Sequence, residues 1–101
     1  MHNRNLKIGD IVQHFKREFV DPKSSEYLYQ ILAFAHHTES GEMLVVYRAL
    51  YPPYKTCARP FDMFMSEVDR EKYPDVKQQY RFELLQSALS AATVNDEEAW
   101  R

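Results

Sequence analysis

The chain has 101 residues, of which 45% are hydrophobic, and it carries a formal net charge of -2 and a single cysteine. This length fits one domain, since single domains commonly contain about 100–150 residues. The lone Cys57 excludes an intramolecular disulfide and with it a disulfide-built secreted scaffold. The negative net charge argues against the strong, sequence-independent attraction that basic domains have for the phosphate backbones of nucleic acids.

The longest apolar runs are short. The run at 31–35 is far below the roughly 20 residues that a membrane helix needs, and no apolar segment of signal-peptide length follows residues 1–5. We therefore expect a cytoplasmic protein with no membrane partner. Residues 1–94 are expected to form the domain, and the acidic tail 95–101 is expected to fray.

The first predicted strand covers residues 8–15. Its alternation places Val12 and His14 on the same face. The segment that follows, 16–26, is charged and contains proline and serines, a composition that predicts an exposed loop.

Two apolar, β-rich segments at 27–35 and 43–51 flank a polar turn and predict a hairpin. Gly41 in the turn can adopt the positive φ that tight turns require. Two consecutive prolines then end the third strand, because neither can donate to a ladder, and residues 54–59 predict a shorter fourth strand.

After the fourth strand the periodicity changes. Apolar residues in 60–69 recur at helical spacing and predict a short helix that covers the sheet or barrel. Residues 80–85 fit both a strand and a helix; we expect a short strand at 80–82 and then a C-terminal helix, which the alanines at 88–92 favour. The elements together predict a mainly β domain with four to five antiparallel strands.

Several separate blocks of residues occur in the order of one bacterial family. They are Gly9, His14-Phe15-Lys16, Tyr29-Gln30-Ile31-Leu32, Ala35-His36-His37-Thr38-Glu39, Leu44-Val45-Val46-Tyr47, Leu50-Tyr51, Arg59-Pro60, Met63-Phe64 and Arg81-Phe82. In these blocks the chain resembles the family catalogued as domain of unknown function sixteen fifty-three. The resemblance implies a small SH3-like β-barrel without an assigned activity. Cys57 departs from the family pattern, in which an aromatic residue is usual at this place.

Polar residues at strand ends within these blocks give a candidate site. We expect folding to bring them into one concavity, where imidazole can exchange protons near neutral pH and the planar guanidinium fork suits a carboxylate or phosphate. An ion pair of Arg59 with Glu39 or Glu67, fastening the hairpin to the helix, is the structural alternative. The predicted ligand-binding residues are His14, Lys16, His37, Glu39, Tyr47 and Arg59.

The leading functional hypothesis is a binding module that recognises an anionic or peptide-like ligand. One alternative is a hydrolase-type enzyme in which a histidine acts as general base and Glu39 orients it. Another is a structural adaptor in a protein assembly. A nucleic-acid partner is only weakly supported.

We expect neither a cofactor nor a metal. The sequence has no cysteine pair and no His-x-Glu-x-x-His spacing, and its two glycines, Gly9 and Gly41, are too few for a phosphate-cradling loop. We assign no catalytic residue, because no nucleophile turn or oxyanion loop accompanies Cys57 or Ser40.

Overall fold

The computed structural model describes residues 5–88 of the chain. Its main element is one antiparallel sheet in the strand order β4-β3-β2-β1-β5. The strands are β1 (Ile11–His14), β2 (Leu28–His36), β3 (Met43–Ala49), β4 (Thr56–Pro60) and β5 (Phe82–Gln86). A short 3-10 helix (Phe15–Phe19) follows β1, and a single turn of α-helix, α1 (Phe61–Phe64), follows β4.

The prediction of a mainly β domain with antiparallel strands is confirmed. The predicted hairpin is the β2–β3 pair, in which His36 lies opposite Met43 and Gly41 has a φ of 76°. Within residues 5–88, β4 and β5 form the two edges of the sheet, and no pairing between them closes it into a barrel. No helix in this range is long and apolar enough to cross a membrane.

The helix predicted at 60–69 is much shorter than its apolar spacing suggested. After α1 the chain turns back toward β5: the Arg81 N–H donates to the Ser66 carbonyl, and the Val68 N–H donates to the Gln79 carbonyl. An isolated bridge between Glu67 and Tyr80 lies between these bonds. Pairing with a distant segment therefore replaces the later turns of the helix, and a local pattern does not reveal such a pairing.

The ambiguous segment 80–85 is mostly strand. β5 begins at Phe82, two residues later than predicted, and extends to Gln86. It pairs with β1, so that His14 lies opposite Phe82. From residue 89 onward, the expected C-terminal helix and the acidic tail lie outside the described residues.

The core lies on one face of the sheet, beneath α1 and the segment that follows it. Register places Val12, Ile31 and Val45 on this face, each almost fully buried. The rings of Phe64 and Phe82 stack with centroids 4.1 Å apart at the centre. Burial of such side chains is the main stabilising contribution in a domain of this size.

Candidate functional site

A cavity of about 240 Å³ opens where β1, β4 and the segment before β5 meet. We call it the cationic cavity, because among the described residues that line it four side chains carry a positive charge and one carries a negative charge. The lining residues are His14, Phe15, Lys16, Arg59, Asp69, Lys72, Tyr73 and Arg81.

His14 lies at the floor of the cationic cavity because it is the last residue of β1 and faces the core side of the sheet. Its ring packs edge-on against Phe82, with centroids 5.0 Å apart. Its Nδ1 accepts a hydrogen bond of 3.1 Å from the Lys16 backbone N–H. In the neutral imidazole the proton must then be on Nε2, which is left as a hydrogen-bond donor.

Burial and positive charge together keep His14 neutral. Burial is the larger cause, followed by the charges of Arg59, Lys16 and Arg81, and together they lower the pKa of His14 from 6.5 to about 4. Burial disfavours a charge of either sign, so only the smaller contributions of Arg59, Lys16 and Arg81 indicate surroundings that favour an anion.

Two arginines enter the cavity from different elements. Arg59 lies on β4 opposite Val45, and its Nε donates to the Tyr47 hydroxyl at 3.2 Å. The Arg59 guanidinium carbon is 5.8 Å from the Phe82 ring centroid, which is within the range of a cation–π contact. Arg81 donates from Nε to the Ser66 hydroxyl at 3.3 Å.

These contacts orient the two guanidinium groups without using their outer ends. Within residues 5–88, the side-chain hydrogen bonds of both arginines engage Nε only, so the terminal Nη groups are available to a ligand. Arg59 bonds to Tyr47 in this range and not to Glu39 or Glu67, the partners considered from the sequence.

Lys16 is held beside the cavity by the 3-10 helix. Its Nζ lies 5.9 Å from the centroid of the Tyr73 ring, again within cation–π range. The ring of Tyr73 also packs edge-on against Phe15, which is buried. The lysine head is thus placed over an aromatic ring that is itself anchored in the fold.

The predicted residues His37 and Glu39 lie elsewhere, in the exposed turn between β2 and β3. The His37 Nδ1 accepts hydrogen bonds of 3.2 Å from the backbone N–H groups of Glu39 and Ser40. Neither residue lines the cationic cavity. In this position the histidine stabilises the turn by satisfying two of its donors.

Of the six residues predicted from the sequence, the structure places His14, Lys16 and Arg59 in the cationic cavity. Tyr47 is joined to them through its hydrogen bond with Arg59. Sequence reasoning did not select Arg81 or Lys72. Arg81 carried a signal, since it stands in one of the family blocks beside Phe82, whereas Lys72 is one charge among several in an irregular segment.

A second cavity, of about 200 Å³, adjoins the first at Arg59, which lines both. We call it the tyrosine cavity. The Tyr29 and Tyr51 hydroxyls are hydrogen-bonded at 2.6 Å. Burial, followed by this hydrogen bond, raises the pKa of Tyr29 far above its ordinary value, so the phenol stays protonated. The lining residues are Tyr29, Tyr47, Ala49, Tyr51, Pro53, Lys55, Cys57 and Arg59.

A larger cavity, of about 640 Å³, is an open groove beside β1 and β5. Its carboxylates already serve the backbone: Glu18 accepts from the N–H groups of Lys77 and Gln78, and Glu83 accepts from those of Gln79 and Tyr80. Because these two carboxylates already accept backbone hydrogen bonds, the groove is a weaker candidate for a ligand-binding site than the cationic cavity.

Metal ligands do not cluster in the part of the chain that the structure describes. No group of three or more histidine, cysteine, aspartate or glutamate side chains between residues 5 and 88 could hold a metal ion.

A family model matches residues 10–84, a range that runs from the start of β1 into β5. The chain belongs to this family, described as protein of unknown function (DUF1653). The match includes every residue of the cationic cavity, and the family description names no activity. Searches of curated proteins and of solved structures found no match.

Proposed function

We propose that this member of DUF1653 is a binding module for an anionic group, which it holds in the cationic cavity. The observation that carries the proposal is the convergence of Lys16, Arg59, Lys72 and Arg81 on one half-enclosed space, where Asp69 is the one carboxylate that residues 5–88 contribute. Partly desolvated cations attract an anion more strongly than cations in bulk water, because the local dielectric constant is lower.

The size and donors of the cavity suit a phosphate or carboxylate group. Its volume of about 240 Å³ is below the range of about 300–1,000 Å³ that is usual for sites of drug-sized ligands. Arginine Nη groups can bind two anion oxygens at once, and the His14 Nε2–H adds a neutral donor. The cavity therefore fits one anionic group, and the rest of the ligand would lie outside it.

The state of His14 favours binding over proton transfer. A general base at neutral pH works best when its pKa is near the working pH, whereas the pKa of His14 is about 4. Glu39, proposed from the sequence as the orienting carboxylate, lies in the hairpin turn and not in the cationic cavity.

We also propose that the sheet is of the SH3-like type that the family resemblance implies. Two features support this. Strands β1 to β4 pair in sequence and β5 returns beside β1, and register shifts interrupt the β1–β5 pair and the β2–β3 pair, where the strands can bend.

Arg59→Gln tests the proposed anion site, with Arg48→Gln as the matched control. Arg48 is exposed on β3 and points to the opposite face from Arg59, so both variants lose one positive charge. We expect Arg59→Gln to weaken the binding of inorganic phosphate by roughly tenfold to 150-fold, since a hydrogen bond to a charged group contributes about 1.5–3 kcal/mol. Calorimetric titration measures the affinities, and circular dichroism checks the fold.

Arg48→Gln should leave the affinity for phosphate nearly unchanged. Equal losses in the two variants would mean that net charge alone attracts the anion. If Arg59→Gln bound phosphate as tightly as the unsubstituted chain, the proposed site would be wrong.

A further inference from the structure

We propose that the ligand is a phosphate ester whose organic part is a planar ring with hydrogen-bond acceptors, and that this ring occupies the tyrosine cavity while the phosphate occupies the cationic cavity. This inference rests on the proposed function and specifies the ligand class of the same site. It follows from the shared wall, the volume, the lining and the unused donors of the two cavities.

Arg59 connects the two cavities. Arg59 lines both, and its Nε donates to the hydroxyl of Tyr47, a residue that also lines the tyrosine cavity. A ligand whose phosphate binds the guanidinium group can therefore extend into the tyrosine cavity. Lys55 lines that second space and adds positive charge on the same side.

The volumes also favour one ligand for both spaces. The cationic cavity has about 240 Å³ and the tyrosine cavity about 200 Å³. Neither alone reaches the lower end of the usual range for small-molecule sites, about 300 Å³, but the two together exceed it.

The lining of the tyrosine cavity suits a flat ring. Tyr29 packs edge-on against Tyr47 and against Tyr51, with centroids 5.4 and 5.6 Å apart, so the three rings present differently tilted walls. Pro53 adds a rigid apolar wall. A planar heteroaromatic ring can pack against such walls by stacking and by edge contacts.

Two hydroxyl protons at the tyrosine cavity have no acceptor among the described residues. The bond between Tyr29 and Tyr51 uses one of their two hydroxyl protons, and the other remains. The Tyr47 hydroxyl accepts from Arg59, so its own proton also remains. Donors of this kind select a ring that carries carbonyl oxygens or unprotonated ring nitrogens.

Two probes that share phosphate and ribose isolate the contribution of the ring. They are ribose 5-phosphate and uridine 5′-monophosphate, titrated calorimetrically into the intact chain. We expect the uridine nucleotide to bind roughly fivefold to 150-fold more tightly, since stacking of one base on aromatic side chains contributes about 1–3 kcal/mol.

Tyr51→Leu should weaken the binding of uridine 5′-monophosphate much more than that of ribose 5-phosphate, and so reduce the difference between the probes. Tyr54→Leu is the matched control, because Tyr54 lies in the same turn, is 57% exposed and does not line the tyrosine cavity. If both variants lost the difference equally, the ring would be bound on the outer surface of the turn and the inference would be wrong.

Cys57 provides a readout that needs no substitution. It is the only cysteine of the chain, is partly buried and lines the tyrosine cavity. Saturating uridine 5′-monophosphate should slow its alkylation by iodoacetamide at least about tenfold, whereas ribose 5-phosphate at equal saturation should not. Equal protection by both probes would contradict occupancy of this cavity by the ring.

The failure of this inference is distinguishable from that of the proposed function. Suppose that the two probes bind with equal affinity and that Arg59→Gln weakens the binding of both. The proposal of a bound ring would then be wrong, and the proposed anion site would stand. Absence of binding by phosphate and by both probes would overturn the two together.

Discussion

At the scale of single residues, His14 shows how a strand end becomes part of a site. The alternation of β1 puts it on the core face, and its position as the last residue of the strand leaves its ring partly open to the cationic cavity. Three cations nearby then add to the effect of burial on its pKa. The residue type alone indicated a proton-transfer group, whereas its surroundings favour a neutral donor.

The lowered pKa of His14 predicts a dependence of stability on pH. The folded pKa is about 4 and the unfolded value is about 6.5, so between these values the unfolded chain binds more protons. The free energy of unfolding should therefore fall as the pH falls from about 6.5 to 4. For this partly exposed group we expect a loss on the order of 2 kcal/mol, allowing for solvent screening.

His14→Gln should remove this part of the pH dependence, since glutamine can still accept from the Lys16 N–H but does not titrate. Urea unfolding at pH 4, 5, 6 and 7 measures the slope. His36→Gln, at the exposed end of β2, is the control. If the free energy of unfolding of His14→Gln changed with pH as steeply as that of the unsubstituted chain, His14 would not be the source of the pH dependence.

At the scale of elements, the irregular segment between α1 and β5 is essential to the cationic cavity, because it carries Lys72 and Arg81. It is attached to β1 through Gln78, which is only 8% exposed. The Gln78 amide donates to the carbonyls of Gln13 and Tyr80 at 3.0 and 2.9 Å and accepts from the Gln13 side chain at 3.2 Å. One buried amide thus satisfies groups on two elements.

Gln78→Ala should lower the free energy of unfolding by about 1–3 kcal/mol, because it leaves partly buried carbonyl groups without their donor. It should also weaken phosphate binding, since the loosened segment positions Arg81. Gln79→Ala is the control, because Gln79 is the exposed neighbour. Urea unfolding and phosphate titration of both variants provide the measurements. Equal free energies of unfolding for the two variants would show that the hydrogen bonds of Gln78 make no net contribution to stability.

At the scale of the whole molecule, the site is formed by parts of the chain that are far apart in sequence. β1, β4 and the residue before β5 all contribute, so the cationic cavity exists only when the sheet is complete. Crowding four cations together opposes folding, and a bound anion relieves that repulsion. Anion binding should therefore be linked to global stability.

Inorganic phosphate should raise the melting temperature of the chain. At ten times its dissociation constant, a ligand that binds only the folded state adds roughly 1.4 kcal/mol, which corresponds to about 5–10 °C for a domain of this length. Differential scanning calorimetry of the unsubstituted chain and of Arg59→Gln in the same buffers separates specific binding from the general salt effect. Equal shifts in the two proteins would rule out stabilisation through the cationic cavity.

The hydrophobic pattern predicted much of the fold. The hairpin, the antiparallel strands and the shared face of Val12 and His14 follow from period-two alternation and from a turn with a flexible glycine, which are local properties. The length of α1 and the start of β5 did not follow, because Ser66 and Arg81 pair across fifteen positions and no local pattern reports that pairing.

Part of the candidate site could likewise be predicted from the sequence, and part could not. His14, Lys16 and Arg59 could be selected from the sequence, because they are the residue types that bind anions and they stand at strand ends. His37 and Glu39 met the same criteria but lie in the hairpin turn, and Arg81 joins the site through an irregular segment. Residue type and distance along the chain do not specify which strand ends become neighbours.

The sequence by itself determined the family, the β character of the domain and the supply of basic and aromatic side chains, since these depend on composition and on short-range periodicity. Only the tertiary structure decided that four cations share one cavity, that three tyrosines line the next, and that Arg59 lies between them. The physical reason is that strand order and register, which arise from cooperative packing of the whole chain, set the distances between residues remote in sequence.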